Sequence, residues 1–143
     1  MQPRIHVITL GVADLTRALA FYRDGLGLPT EGVIGTEFPG DTTTPAGDAV
    51  MFRLDDGLIL ALPVPSSELA KDAGVPPAPA TTGGFSLGHI VAEQAAVGRL
   101  LAQAAAAGGA VTGPARDRPW GIYSGYFTDP DGHLWEVFWQ RPG

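Results

Sequence analysis

A chain of 143 residues with 45% hydrophobic content can bury one substantial core, and no apolar run approaches the roughly 20 residues of a membrane span. The absence of cysteine excludes disulfides, thiolate metal ligands and a cysteine nucleophile, and fits a reducing cytoplasm. A formal charge of −6 with no offsetting basic cluster repels polyanions, so neither nucleic acid nor membrane is an expected partner.

The run from Ile5 to Val12 is β-branched and apolar and reads as a strand. Asp14 and Arg17 follow too closely for an export signal, so a cytoplasmic location is expected. Asp14 is placed to N-cap a helix through about Leu26, with Leu15, Leu19, Tyr22 and Leu26 forming one buried stripe and Gly27 closing it. Residues Thr30 to Phe38 read as a strand and Pro39 to Gly47 as a polar loop. Asp48 to Leu54 and Leu58 to Pro63 form a hairpin across Asp55-Asp56-Gly57. The order is β-α-β-β-β.

Ser66 to Ala73 can form a short capped helix, and the Pro- and Gly-dominated stretch from Val75 to Gly84 is a linker without regular structure. The pattern then restarts. Phe85 to Val91 reads as a strand, Ala92 to Ala107 as an alanine-rich helix ended by Gly108-Gly109, Ala110 to Ala115 as a short strand and Tyr123 to Gln140 as a second hairpin.

The restart is visible in the residues themselves. Tyr126-Phe-Thr-Asp-Pro-Asp-Gly-His-Leu-Trp-Glu-Val137 repeats Met51-Phe-Arg-Leu-Asp-Asp-Gly-Leu-Ile-Leu-Ala-Leu62 with Gly132 on Gly57. The chain therefore reads as an α+β protein of two tandem βαβββ modules, the first spanning 1–65 and the second 85–143, joined by 66–84. Asp129, Asp131 and His133 cluster in the second turn, where proline, glycine and capping carboxylates explain them as turn geometry.

Three segments, Ile8 to Gly27 with its Val-Ala-Asp-Leu and Phe-Tyr pairs, Trp120-Gly121, and Tyr126 to Val137, give a chain that resembles the vicinal oxygen chelate superfamily. That group contains glyoxalase I, bleomycin-resistance proteins, fosfomycin-resistance enzymes and extradiol dioxygenases. The resemblance implies curled mixed sheets forming a shared cup, and a homodimer in which modules pair within one chain or are exchanged between two. It fixes no reaction, because one fold serves lyases, transferases, oxygenases and drug binders. In metal-dependent members each module gives one ligand from its first strand and one from its last. The matching positions here are Val7, Ala61, Ser86 and Glu136. Only Glu136 is a strong donor, and one carboxylate with a serine does not hold a divalent ion. No cofactor is therefore expected.

The alternative brings His6 or His89 to Glu136 around nickel, zinc, manganese or iron, in a lyase or dioxygenase. Strand alternation puts both histidines on the helix-facing side, so a register slip or bulge would be needed. Glu136 reads either as a general base or ligand acceptor, or as a structural carboxylate held by Arg53, Tyr126 or a serine. Trp120, Tyr123, Tyr126 and Phe138, with Phe38 and Met51, can line an apolar cup or fill a core. The polar groups of such a cup would be Thr9, Arg53, Ser86, Tyr126 and Glu136. The favoured expectation is a metal-free binder of an apolar or aromatic small molecule.

Overall fold

The computed structural model describes residues 1–42, 46–63, 66–76 and 84–143. The chain divides into two compact units, Met1–Ala78 and Pro79–Gly143.

The first unit contains β1 (Val7–Thr9), α1 (Leu15–Leu19), β2 (Val33–Ile34), β3 (Ala49–Arg53), β4 (Ile59–Pro63) and α2 (Ser66–Ala73). Asp14 caps α1, its Oδ1 accepting from the Thr16 and Arg17 amides. The helix does not run straight to Leu26. It continues as a π-helical turn over Ala20–Gly25, and the Leu26 amide donates to the Phe21 carbonyl, five residues back. The wider turn shifts the buried stripe: Leu15, Ala18, Leu19, Phe21 and Tyr22 are inside, while Leu26 is only half-buried.

The sheet order is β1-β4-β3-β2, with β1 parallel to β4 and the other neighbours antiparallel. Val50, Phe52, Leu60 and Leu62 alternate onto the face covered by α1 and are buried. Two expected strands shorten. Ile5 to Val12 reduces to Val7–Thr9, and Thr30 to Phe38 reduces to Val33–Ile34, because Gly32 at φ 93° and Gly35 at φ 78° turn the backbone out of extended conformation at each end. The 39–47 loop lies partly, and the 75–84 linker largely, outside the described residues.

The second unit repeats the pattern as β5 (Leu87–Ile90), α3 (Gln94–Ala106), β6 (Ala110–Asp117), β7 (Ile122–Thr128) and β8 (Leu134–Gln140), with sheet order β5-β8-β7-β6. The protein is thus α+β, two βαβββ modules of identical strand order. Within each unit's sheet β4 and β8 are interior, whereas β1 and β5 stand at an edge. α3 packs on β6, β7 and β8 through Val97, Leu101 and Ala104. It starts two residues later than expected because Glu93 is still extended, and it ends where Gly108 takes φ 110°. β6 runs on to Asp117 through two register shifts, and Pro114 is tolerated there because β6 is an edge strand.

The two hairpin turns share their backbone hydrogen bonds. Gly57 donates to the Leu54 carbonyl and Gly132 to that of Asp129, at φ 87° and 89°, and each turn closes with the first residue's amide donating across, Leu54 to Leu58 and Asp129 to His133.

Candidate functional site

In the second unit the hairpin register brings Tyr126 opposite Glu136, with Gly88 on the other side of Glu136 and Gly113 on the other side of Tyr126. These four form one row across the sheet, on the face away from α3, since Gly125, Val137 and Phe127 take the helix side. Glycine at both ends leaves the two large polar side chains of the row uncrowded. Burial raises the Tyr126 pKa, as do the charge of Glu136 and its hydrogen bond with the phenol, against the opposing charges of Arg118 and Arg116. Tyr126 is accordingly a neutral phenol across the sheet from the Glu136 carboxylate.

Arg118, the residue after β6, braces this row. Its Nε donates to the Ser124 hydroxyl at 2.9 Å and its Nη2 to the Ser124 carbonyl at 3.3 Å, Ser124 being fully buried, and its guanidinium carbon sits 5.5 Å from the Tyr126 ring centre. Phe138 pairs with Ser124 and Ile90 on this same face. Tyr123, also expected among the lining aromatics, pairs with Trp139 and alternates to the opposite side of β7 from Tyr126. Trp120 is 70% exposed at the tip of the β6–β7 hairpin.

The first unit carries the matching row Thr9, Ala61, Met51. Ala61 stands where the second unit has Glu136, and Met51 where it has Tyr126. Val7, Ile59 and Arg53 form the adjacent row. Beside these rows lies a cavity of about 350 Å³ lined by Pro29, Thr30, Glu31, Gly32, Ile34, Met51 and Arg53. Its outer wall is fastened to β3 by Thr30, whose hydroxyl donates to the Met51 carbonyl at 2.7 Å and accepts from the Gly32 amide at 3.2 Å. This wall lies within the Thr30 to Phe38 segment expected as a strand; the Pro29-Thr-Glu-Gly32 spacing, with proline leading and glycine closing, is the turn signal for it. Arg118 was missed as well, because its partner is reached across a bulged strand.

The donor set does not suit a divalent ion. Val7 and Ala61 offer no ligand atom, Ser86 precedes β5 with only a hydroxyl, and Glu136 is flanked by Gly88 and Tyr126. His89 pairs with Val137, on the other face of the sheet from Glu136, and His6 is an exposed residue just before β1 whose carbonyl accepts from Ile59. Among the described residues no three His, Asp or Glu side chains converge as a metal site.

The second-hairpin turn is a closed hydrogen-bonded unit. Asp129, 3% exposed, accepts from the Asp131 and His133 amides through Oδ1, while its Oδ2 lies 2.8 Å from His133 Nδ1. Burial pulls the His133 pKa down, but the Asp129 hydrogen bond and the charges of Asp129 and Asp131 outweigh it and the net shift is upward. A folded-state pKa above the unfolded one gives stability that is full below the unfolded value and lost as pH rises through the folded value. Urea unfolding should therefore show a stabilising contribution at about pH 6 that is absent at about pH 9. In Asp129→Asn the His133 NMR titration should move down and that pH-dependent contribution should vanish; an unmoved titration would refute the account.

The two βαβββ modules share one strand order and an acidic-glycine hairpin turn. Residues 4–137 match the Glyoxalase/Bleomycin resistance protein/Dioxygenase superfamily, and the chain belongs to it. Among solved structures it is similar to a glyoxalase-related enzyme from Fulvimarina pelagi, at 30% identity and TM-score 0.78 over 96% of this chain and 88% of that one. A glyoxalase/bleomycin resistance protein/dioxygenase from Nocardioides aligns at 25% identity and TM-score 0.70, over 100% and 87%. A mutant of the fosfomycin resistance protein FosX from Listeria monocytogenes, complexed with Mn(II) and 1S,2S-dihydroxypropylphosphonic acid, shares the fold at 19% identity and TM-score 0.64, over 96% and 89%. Curated protein sequences give no significant match. Among the described residues no helix is long and apolar enough to cross a membrane.

Proposed function

We propose that this chain is a small-molecule-binding protein of the glyoxalase/bleomycin-resistance type that holds an apolar or aromatic ligand without a divalent metal. The observation that carries the reading is the cavity of about 350 Å³ on the first sheet, floored by Met51 and Ile34 and carrying Arg53 and Glu31. That size and mixture, apolar surface with a few polar groups, is what small ligands require. Ala61 supports it from the same sheet: the position that would supply a metal ligand supplies a methyl group. In the second unit, Glu136, opposite Tyr126, serves as a hydrogen-bond acceptor on the sheet face. The homodimer and the cytoplasmic setting belong to the same proposal, and a solution mass of one chain would overturn the dimer.

Elemental analysis of chelator-free protein, followed by calorimetric titration with nickel, zinc, manganese and ferrous iron, tests the metal-free claim. No stoichiometric metal is expected, and 2-naphthol should bind to the wild type but about tenfold more weakly to Met51→Asp. Stoichiometric metal that disappears in Glu136→Ala would replace this reading with that of a metal-dependent lyase or dioxygenase.

A further inference from the structure

The first-unit cavity has few polar groups, and one of them is already committed. The Thr30 hydroxyl is used within the wall, donating to Met51 and accepting from Gly32. What remains for a ligand is one guanidinium and one carboxylate, Arg53 and Glu31, both exposed. Neither has an ion-pair partner among the described residues. Arg53 sits on β3 two residues from Met51, on the same face, so the cation and the apolar floor share one strand.

We infer that this cavity takes an apolar molecule bearing a single carboxylate with an amine or hydroxyl beside it, Arg53 holding the carboxylate and Glu31 accepting from the donor. This deepens, and rests on, the reading of the chain as a small-molecule binder. A guanidinium presents a planar fork that matches a carboxylate with two parallel hydrogen bonds. Glu31 decides against more highly charged anions: a phosphate dianion seated at Arg53 would meet a carboxylate on the same rim, in a protein of formal charge −6. A ligand with a donor next to its carboxylate turns that repulsion into a hydrogen bond. The Met51 thioether and Ile34 then contact the hydrocarbon part, and a thioether packs well against an aromatic ring. At about 350 Å³ the cavity lies at the small end of ligand sites, which suits one ring on a short chain.

Calorimetry with phenylalanine, 3-phenyllactate, phenylalaninamide and phenyl phosphate separates these requirements. Phenylalanine and 3-phenyllactate should bind, with the amide and the phosphate weaker by roughly tenfold or more. Arg53→Gln should lose about tenfold for the two carboxylates and leave the amide unchanged. Glu31→Gln should weaken phenylalanine and strengthen phenyl phosphate. Both positions are exposed, so far-UV circular dichroism should show both variants folded. Equal binding of carboxylate and amide, or an unchanged affinity in Arg53→Gln, would overturn the ligand class while leaving a small-molecule binder. Failure of all four compounds and of 2-naphthol would overturn both.

Discussion

Gly125→Val should destabilise the second unit by about 3 kcal/mol or more, enough to leave little folded protein if total stability is ordinary for a domain of this size. A β-carbon at Gly125 would fall 2.5 Å from Leu101 Cδ1, 2.9 Å from the Gly113 carbonyl oxygen and 3.1 Å from the Ala115 nitrogen. Leu101 could rotate away at modest cost. The other two contacts are backbone of β6, and relieving them means separating β6 from β7. Even alanine has no space there, so Gly125→Ala should cost about 1–3 kcal/mol by urea unfolding. Gly98, exposed in α3 with nothing within 4 Å of its would-be β-carbon, provides the opposite sign. Gly98→Ala should stabilise by about 0.5–1 kcal/mol through helix propensity. If Gly125→Ala unfolded like the wild type, the close approach of α3 and β6 to β7 would be wrong.

The sequence leaves Arg53, Tyr126 or a serine open as partners of Glu136, and the hairpin register that sets Tyr126 across from it rests on local chemistry. An acidic-glycine turn fixes where a hairpin reverses, and once the reversal is fixed alternation decides which residues meet. The same reasoning applies twice, at Gly57 and Gly132, whose turns share their backbone hydrogen bonds. It failed where periodicity was extended through a break in it. A stripe drawn at 3.6 residues per turn put Leu26 in the core, but the π-helical turn over Ala20–Gly25 inserts Phe21 and Tyr22 together and leaves Leu26 half-buried. Propensity misled in a related way between Thr30 and Phe38. Val33 and Ile34 are good strand formers, yet the glycines on either side adopt positive φ and convert the flanks into turns. One of those turns is the cavity wall, so the error in the strand concealed the pocket. Arg118 was illegible for another reason: its position over Tyr126 depends on the bulges of β6, which no alternation rule anticipates.

Phe52→Ala is expected to be as severe in the first unit, and its effect should reach the binding face. Phe52 is fully buried on the helix side of β3, its ring 5.8 Å from that of Tyr22, which in turn meets Phe21 edge-on at 4.9 Å. All three rings are completely enclosed, so truncation leaves a void between the π-helical turn and the sheet rather than a surface that can relax into solvent. Removing a phenyl group from such a site costs about 3–5 kcal/mol. The residues on either side of Phe52 are Met51 and Arg53, which point to the opposite face and line the cavity. Their placement is only as firm as the strand between them, and the strand is held down by Phe52. Binding of 3-phenyllactate should therefore weaken in Phe52→Ala even under conditions where the protein remains folded, whereas Phe52→Leu, which retains most of the volume, should preserve it at a cost of roughly 1–1.5 kcal/mol in stability. Unfolding and calorimetry on the pair would separate the two effects. A folded Phe52→Ala protein with unaltered affinity would show that the cavity does not depend on the packing beneath β3.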